Sequence, residues 1–144
     1  MSTLYRICET DLIELSGLYE ELTNKKTDIQ KLKDSFQWIN ANPDYLLLGA
    51  KRDGLLVGSL LAILCHDVVG DCRPFMVLEN VIVKSEYRGS GIGKQLMLYI
   101  EDYAREKNCS FIFFVSSADR QNAHRFYESI GYRPDAVKGF KKYL

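Results

Sequence analysis

What the sequence lacks removes several classes of function. No stretch approaches the roughly 18 consecutive apolar residues that a membrane-spanning helix needs, so no membrane role is expected. There is no excess of either charge: 19 Lys and Arg stand against 19 Asp and Glu, for a formal net charge of zero. A nucleic-acid-binding domain is expected to be clearly basic, so nucleic acid is not an expected partner. Cys8, Cys65, Cys72 and Cys109 are widely spaced with no Cys-x-x-Cys pair, which argues against a structural zinc site and a disulfide framework; small buried hydrophobes are the expected role for most of them. Met1 to Asp11 has no charged-then-apolar leader pattern, so a cytoplasmic location is the expectation. Internal repeats and low-complexity stretches are absent too. What is present is 144 residues, 47% of them hydrophobic, enough to give one domain, 1–144, a sizeable core.

Periodicity lays out the elements. Leu4 to Cys8 alternates as a short strand. Thr10 is placed to cap a helix over Asp11 to Leu22, with Leu12, Leu15, Leu18, Tyr19 and Leu22 on one face. Thr27 or Asp28 is placed to cap a second helix, about Ile29 to Asn40, stopped by Asn42-Pro43-Asp44. Tyr45 to Lys51 and Leu55 to His66 read as strands joined by Arg52-Asp53-Gly54; Asp-Gly accepts the positive φ angles of a tight hairpin. Phe75 to Val83 is an apolar strand interrupted by Glu79-Asn80. A long helix follows over about Gly91 to Lys107, with Asn108 as its stop, then an apolar strand, Phe111 to Val115. A short helix over Asn122 to Ile130 ends at Gly131, and Val137 to Leu144 reads as a final strand. Hairpins in the first half and a strand–helix–strand unit in the second give an α/β (α+β) fold, with a mixed sheet and helices on both faces.

The segment richest in chemistry is Arg88-Gly89-Ser90-Gly91-Ile92-Gly93-Lys94, which follows a strand and opens a helix. Its glycines let backbone approach a ligand closely. The first helical turn adds unpaired N–H groups and the positive end of the helix dipole, which makes an anion site suited to phosphate or pyrophosphate. Two common phosphate motifs fail at single positions. The dinucleotide pattern Gly-x-Gly-x-x-Gly, started at Gly89, would need its third glycine at Lys94. The Walker A pattern would need a glycine at Arg88 and Ser or Thr at Gln95.

The pattern that fits is Arg-x-x-Gly-x-Gly from Arg88 to Gly93. It resembles the pyrophosphate-binding motif of the GNAT N-acetyltransferase superfamily. A second stretch, Asn122-Ala123-His124-Arg125-Phe126-Tyr127-Glu128-Ser129-Ile130-Gly131-Tyr132, is similar to that family's second signature, a short helix carrying Phe-Tyr-Glu and ending in Gly-aromatic. The resemblance implies a GNAT fold, with a mostly antiparallel central sheet of about six to seven strands. It also implies acetyl-coenzyme A as co-substrate. Backbone amides of Arg88, Gly89, Ser90, Gly91, Ile92, Gly93 and Lys94 would then hold its pyrophosphate. The strand residues Val81, Ile82 and Val83 would bind the pantetheine arm, with Val81 and Val83 pairing to it like an added strand. A bulge near Glu79-Asn80 would splay this strand from Phe111 to Val115 and admit the thioester. Tyr127 matches the family tyrosine near the coenzyme sulfur, a donor to the departing thiolate. Asn122 either caps its helix or contacts the pantetheine.

An attacking amine must be neutral, yet an alkylammonium has a pKa of about 10. Glu79 is the first candidate to take its proton, directly or through water, because it interrupts an apolar strand beside the expected thioester. Its alternation partners are Val77 and Val81. Asn80 suits positioning better. His66 and His124 read more readily as structural or surface residues. The Glu-Asn pair and the Phe-Tyr-Glu helix are similar to glucosamine-6-phosphate N-acetyltransferases, and the His-Arg-Phe-Tyr run to aminoalkylphosphonate N-acetyltransferases. The expected acceptor is therefore the primary amine of a small molecule, one class of which bears phosphate or phosphonate. Arg73, Arg125, Arg133, Lys138, Lys141 and Lys142 are candidate cations for it, with Lys25, Lys26, Lys31 and Lys33 as further ones. Peptide N-acetylation and non-catalytic sensing of acetyl-coenzyme A are the competing readings. A homodimer is among the expectations, because members of the family often dimerise.

Overall fold

A computed structural model describes all 144 residues. They divide into two compact units, residues 1–113 and 114–144.

The first unit runs β1 (Thr3–Arg6), a 3-10 turn (Glu9–Asp11), α1 (Leu12–Thr23), α2 (Ile29–Ala41), β2 (Tyr45–Arg52), β3 (Leu55–Cys65), β4 (Phe75–Val83), a second 3-10 turn (Ser85–Tyr87), α3 (Ile92–Glu106) and β5 (Ile112–Phe113). The five strands lie in sequence order in one sheet. The first three pairings are antiparallel, and β4 with β5 is parallel. A parallel neighbour needs a crossover, and α3 provides it. The mixed α/β architecture expected from the sequence is therefore present, with five strands.

Local sequence accounts for most boundaries. The Asp28 carboxylate accepts from the Lys31 N–H at 3.0 Å and caps α2. Asp53 and Gly54 have φ of 52° and 79°, the two positive values a tight hairpin turn requires. Asn108, at φ 60°, ends α3: its N–H bonds the Arg105 carbonyl (3.0 Å) and the Cys109 N–H bonds the Ala104 carbonyl (2.9 Å). Thr10 does not cap α1. It lies inside the 3-10 turn that leads into the helix, and Asp11 is the residue that organises this corner.

Asp11 is 2% exposed. Its carboxylate accepts from the Cys8 N–H at 2.8 Å and from Lys51 Nζ on β2, also at 2.8 Å. Lys51 sits over the Tyr5 ring of β1, 4.8 Å from its centroid. Burial alone would raise the Asp11 pKa. The bonds from Lys51 and Cys8, with the nearby Tyr5 hydroxyl and the Lys51 charge, outweigh it and hold the carboxyl below its ordinary value. The same pair raises the Lys51 pKa, and burial with the Asp11 charge pushes the Tyr5 hydroxyl to about 12. This cluster ties β1, the first 3-10 turn and β2 together at the sheet edge.

The two sheet faces carry separate cores. On one, Leu12, Leu15 and Leu18 of α1 and Phe36 of α2 pack with Leu47, Leu56 and Ile82 of the sheet. The spacing of three along α1 puts its leucines on one stripe. On the other, α3 contacts β2, β3 and β4, burying Ile92, Leu96 and Ile100. A Cβ on Gly58 would come within 3.0 Å of Ile92 and 3.2 Å of Leu96, so this glycine lets the helix sit close to β3.

In the second unit the one regular element is α4, Gln121–Ser129. The strand expected over Val137 to Leu144 does not form, and that whole segment is exposed. Its apolar residues Val137, Phe140 and Tyr143 recur every third position, with Gly139 and Lys141-Lys142 between them. A half-buried strand needs a period of two. The strand expected over Phe111 to Val115 shortens to Ile112–Phe113. All four cysteines are free, but their exposure departs from expectation: Cys8 and Cys72 are exposed, and Cys65 and Cys109 are half-buried.

Candidate active site

Every first-unit residue singled out by the motifs lies on one continuous stretch, from β4 through the 3-10 turn into α3. The stretch begins with an irregularity. Leu61 pairs with Glu79, but Ser59 pairs with Ile82, so two residues of β4, Asn80 and Val81, stand opposite Leu60 alone. This is a β-bulge. Asn80 is its turning residue, with φ 54°, a left-handed conformation that asparagine tolerates better than most side chains.

The bulge changes which residues share a face. A one-residue slip moves every later side chain to the opposite side. Glu79 lies on the α1/α2 face with Val77 and, past the bulge, with Ile82 rather than Val81. Ile82 is buried in the core beside α1, whereas Glu79 is exposed. The carboxylate is thus on the surface rather than locked into a buried hydrogen-bonded role. The pairing of β4 with β5 covers Met76 and Val77 only. From Leu78 onward, the β5-facing edge of β4 has no strand partner within the sheet.

Beyond β4, the chain is held by contacts the sequence did not advertise. Glu21 of α1 accepts from the Ser85 N–H at 3.1 Å. Arg88 Nε donates to the Val83 carbonyl at 3.0 Å, and the Ser90 hydroxyl donates to the Tyr87 carbonyl. Gly89 and Gly91 then take φ of 77° and 87°, and a Cβ at either would meet nothing within 4 Å. Their surroundings are open, so backbone conformation and not crowding calls for glycine here. Gly91 is the N-cap of α3 and offers no side chain to the helix end. The Gln95 N–H bonds its carbonyl at 3.0 Å. The N–H groups of Ile92, Gly93 and Lys94 therefore have no acceptor within the helix. With the helix dipole they form a ready anion site, and the exposed Lys94 adds a positive charge on the same turn.

Asn122 and Tyr127 lie on α4, in the second unit. Tyr127 is 8% exposed. Its ring meets Phe114 edge-on, with centroids 4.5 Å apart, and lies 5.3 Å from Phe126. Burial raises its pKa, with Arg120 pulling weakly the other way, so the hydroxyl keeps its proton at neutral pH. Asn122 does not cap the helix. The N-cap is Arg120, and the Asn122 side chain accepts from Arg125 at 3.1 Å. His124 is half-buried, and its Nε2 is enclosed without a hydrogen-bond partner.

Several candidates are already engaged elsewhere. His66 is exposed just past β3, with Nε2 3.2 Å from Asp44. Arg73 donates to the backbone carbonyls of Asn108 (3.2 Å) and Cys109 (2.9 Å). Arg133 pairs with Asp135 at 3.4 Å. Lys138, Lys141 and Lys142 are exposed, as are Lys25, Lys26 and Lys31, while Lys33 is half-buried.

A bulged strand feeding a glycine turn and the N-terminus of a helix, on a mixed sheet, is the arrangement that the resemblance implied, and the comparisons with known proteins define the class as acyltransferase. The chain belongs to the acetyltransferase (GNAT) family, whose family model matches residues 11–132. It is 26% identical over 127 residues to an aminoglycoside N(6')-acetyltransferase type 1 of Salmonella enteritidis, covering 86% of each chain. It is also 26% identical over 123 residues to an aminoalkylphosphonate N-acetyltransferase of Salmonella typhimurium, covering 85% of this chain and 79% of that one. A solved glucosamine-6-phosphate N-acetyltransferase from Arabidopsis thaliana shares the fold, with a TM-score of 0.87, 17% identity, and coverage of 100% of this chain and 99% of that one.

Proposed function

We propose that this protein transfers the acetyl group of acetyl-coenzyme A to the primary amine of a small molecule, by direct attack in a ternary complex. The observation that carries the reading is the turn at Gly89 and Gly91. Both residues hold positive φ, open space lies where their side chains would be, and three helical N–H groups stand free just beyond. That is a cradle for a pyrophosphate, and the unpaired edge of β4 leads away from it as a track for an extended arm.

The donor half follows from this chain's own groups. Arg88 to Lys94 hold the pyrophosphate, and the backbone of Val81 to Val83 takes the pantetheine. The Val83 carbonyl now bonds Arg88, so Arg88 must release it if that carbonyl is to pair with the arm. Glu79, exposed beside the bulge, takes a proton from the substrate ammonium, directly or through water. The amine nitrogen then attacks the thioester carbonyl carbon, the carbon–sulfur bond breaks, and the coenzyme leaves as a thiolate that takes up the second proton, shed by the nitrogen as it becomes an amide, to end as the free thiol. The resemblance gives Tyr127 the role of donor to that sulfur. A phenol pushed above its ordinary pKa of about 10 is a poor acid toward a thiolate whose conjugate acid is near 8.5. Tyr127 therefore acts by hydrogen-bonding the developing charge more than by complete proton transfer.

One domain, 1–144, is part of the proposal, and a single family match running across both compact units supports it. The similar aminoglycoside and aminoalkylphosphonate enzymes favour a small amine over a peptide. The test is release of free coenzyme A in the presence of a panel of small primary amines and of peptides with free N-termini or lysines. Release with a small amine and none with peptides is expected. Tight acetyl-coenzyme A binding with no release by any acceptor would refute catalysis and leave a sensor.

A further inference from the structure

The sheet surface beside Glu79 carries an uncovered aromatic stack. Phe75 of β4 lies parallel to Phe111, with centroids 5.2 Å apart and an interplanar angle of 18°, and Phe113 completes the group at 5.9 Å from Phe75. Phe111 and Phe113 remain 51% and 39% exposed. Two exposed phenylalanines in contact with a half-buried third form a contiguous apolar patch, the kind of surface that marks an interaction site rather than scattered exposure.

The register joins this stack to the proposed base. Glu79 pairs with Leu61, Val77 with both Ile63 and Phe113, and Phe75 with Cys65. Paired residues share a face, so Phe75, Val77, Glu79 and Phe113 all lie on the α1/α2 side. Glu79 is the one charged residue in this row. It stands where the helix-covered sheet, at Leu61 and Ile82, gives way to the open aromatic end. Strand rise and spacing put its Cα about 8 Å from that of Phe113. A surface that is aromatic at one end and anionic at the other is complementary to a cation with an apolar body.

Resting on the acetyl-transfer reading above, we propose that the acceptor is an arylalkylamine: its ring lies on Phe75, Phe111 and Phe113, and a short chain delivers its ammonium to Glu79. A phosphate-bearing amine fits this surface less well. Arg73, two residues before Phe75, has its guanidinium turned to the Asn108 and Cys109 carbonyls, and no other cation stands in the row.

The test compares 2-phenylethylamine with 2-aminoethylphosphonate as acceptors in the full chain, for the wild type, Phe113→Ala and Phe111→Ala. Both replaced rings are substantially exposed, so the fold should survive, and acetyl-coenzyme A affinity by calorimetry reports whether the donor half is intact. The expected result is a wild-type preference for 2-phenylethylamine of tenfold or more in kcat/KM. In either variant this parameter should fall about 10- to 100-fold, chiefly through KM, with coenzyme affinity unchanged. Preference for the phosphonate amine would overturn the arylalkylamine assignment while leaving acetyl transfer standing. So would unchanged kcat/KM in both variants. If the variants lowered the molecular mass in solution without changing kcat/KM, the stack would be a contact between copies of the chain, and the proposal would fall. Coenzyme binding with no turnover of any amine would overturn acetyl transfer itself, and this assignment with it.

Discussion

Replacing Gly91 with valine separates the structural role of the glycine turn from its proposed binding role. Gly91 has φ 87° and ψ 0°, and a β-branched residue is a genuine outlier there. A Cβ meets nothing within 4 Å, so the cost to the fold is backbone strain alone, about 1–3 kcal/mol. Unfolding entropy of about 2.1 cal/mol/K per residue, over 144 residues, gives about 0.3 kcal/mol/K. The expected drop in Tm is therefore roughly 3–10 °C, and the variant remains folded at room temperature. Binding should suffer more, because the branched side chain projects into the open space where the pyrophosphate would sit. A fall in affinity of at least 100-fold is expected, equivalent to about 2.7 kcal/mol. Gly91→Asn is the control. This chain already places Asn24, Asn80 and Asn108 at φ between 54° and 60°, so asparagine should recover much of the Tm without recovering affinity. Isothermal titration with acetyl-coenzyme A reads the outcome. Folded Gly91→Val with wild-type affinity would refute the placement of the pyrophosphate at this turn.

Four further outcomes are expected. Tyr127→Phe should lower kcat more than it raises KM for acetyl-coenzyme A, and wild-type kinetics would remove the hydroxyl from the reaction. Glu79→Gln should cost about 10²- to 10⁴-fold near pH 7, and the deficit should shrink toward pH 10 as the free amine becomes neutral unaided; a pH–rate profile parallel to the wild type would assign the proton to another base. Asp11 has a lowered folded pKa, so its contribution is present above its ordinary value of 3.8 and is lost as pH falls through the folded value. Asp11→Asn should therefore flatten the acid limb of stability and cost about 1.5–3 kcal/mol at neutral pH, as read by urea unfolding; an acid limb identical to wild type would contradict this. Burial raises Tyr19 to about 12 from 10.0, so stability is full below pH 10 and falls as pH rises toward 12. Tyr19→Phe should remove part of that alkaline loss, and no change would exclude the tyrosine as its source.

Much of the fold was legible because it rests on local chemistry. Asp28, Asp53-Gly54 and Asn108 each end or turn an element through their own side chain or φ preference, and each sits where the sequence put it. The leucine stripe of α1 is likewise a consequence of helical spacing. What could not be read depends on distant partners. Thr10 looked like a cap, but Asp11 prevails because Lys51, forty residues on, arrives beside it in the folded sheet. The cysteines were expected in the core, yet their exposure is set by where the loops around them run. The glycine turn was fully legible, since positive φ and a helix start are written in adjacent residues. Its anchor from α1, Glu21 on Ser85, left no pattern in the chain, and the motif that contains Arg88 does not reveal that its side chain bonds the Val83 carbonyl.

The bulge in β4 links these two kinds of information. The family resemblance implied a bulge here, but the residues themselves show only a polar pair, Glu79-Asn80, inside an apolar strand, and simple alternation assigns Glu79 the same face as Val81. The pairing of Leu61 with Glu79 and of Ser59 with Ile82 shows one extra residue, and that residue reverses the alternation. Before the bulge, the α1/α2 face of β4 bears Phe75, Val77 and Glu79, all at least partly exposed; after it, the same face bears buried Ile82. An uninterrupted strand would have placed Ile82 on the α3 face and Val81 beside α1. Glu79 therefore stays on the surface because the bulge lets the strand return to the core immediately after it. One residue with φ 54° gives β4 both an open face at Glu79 and a buried end at Ile82 that fixes the start of the glycine turn.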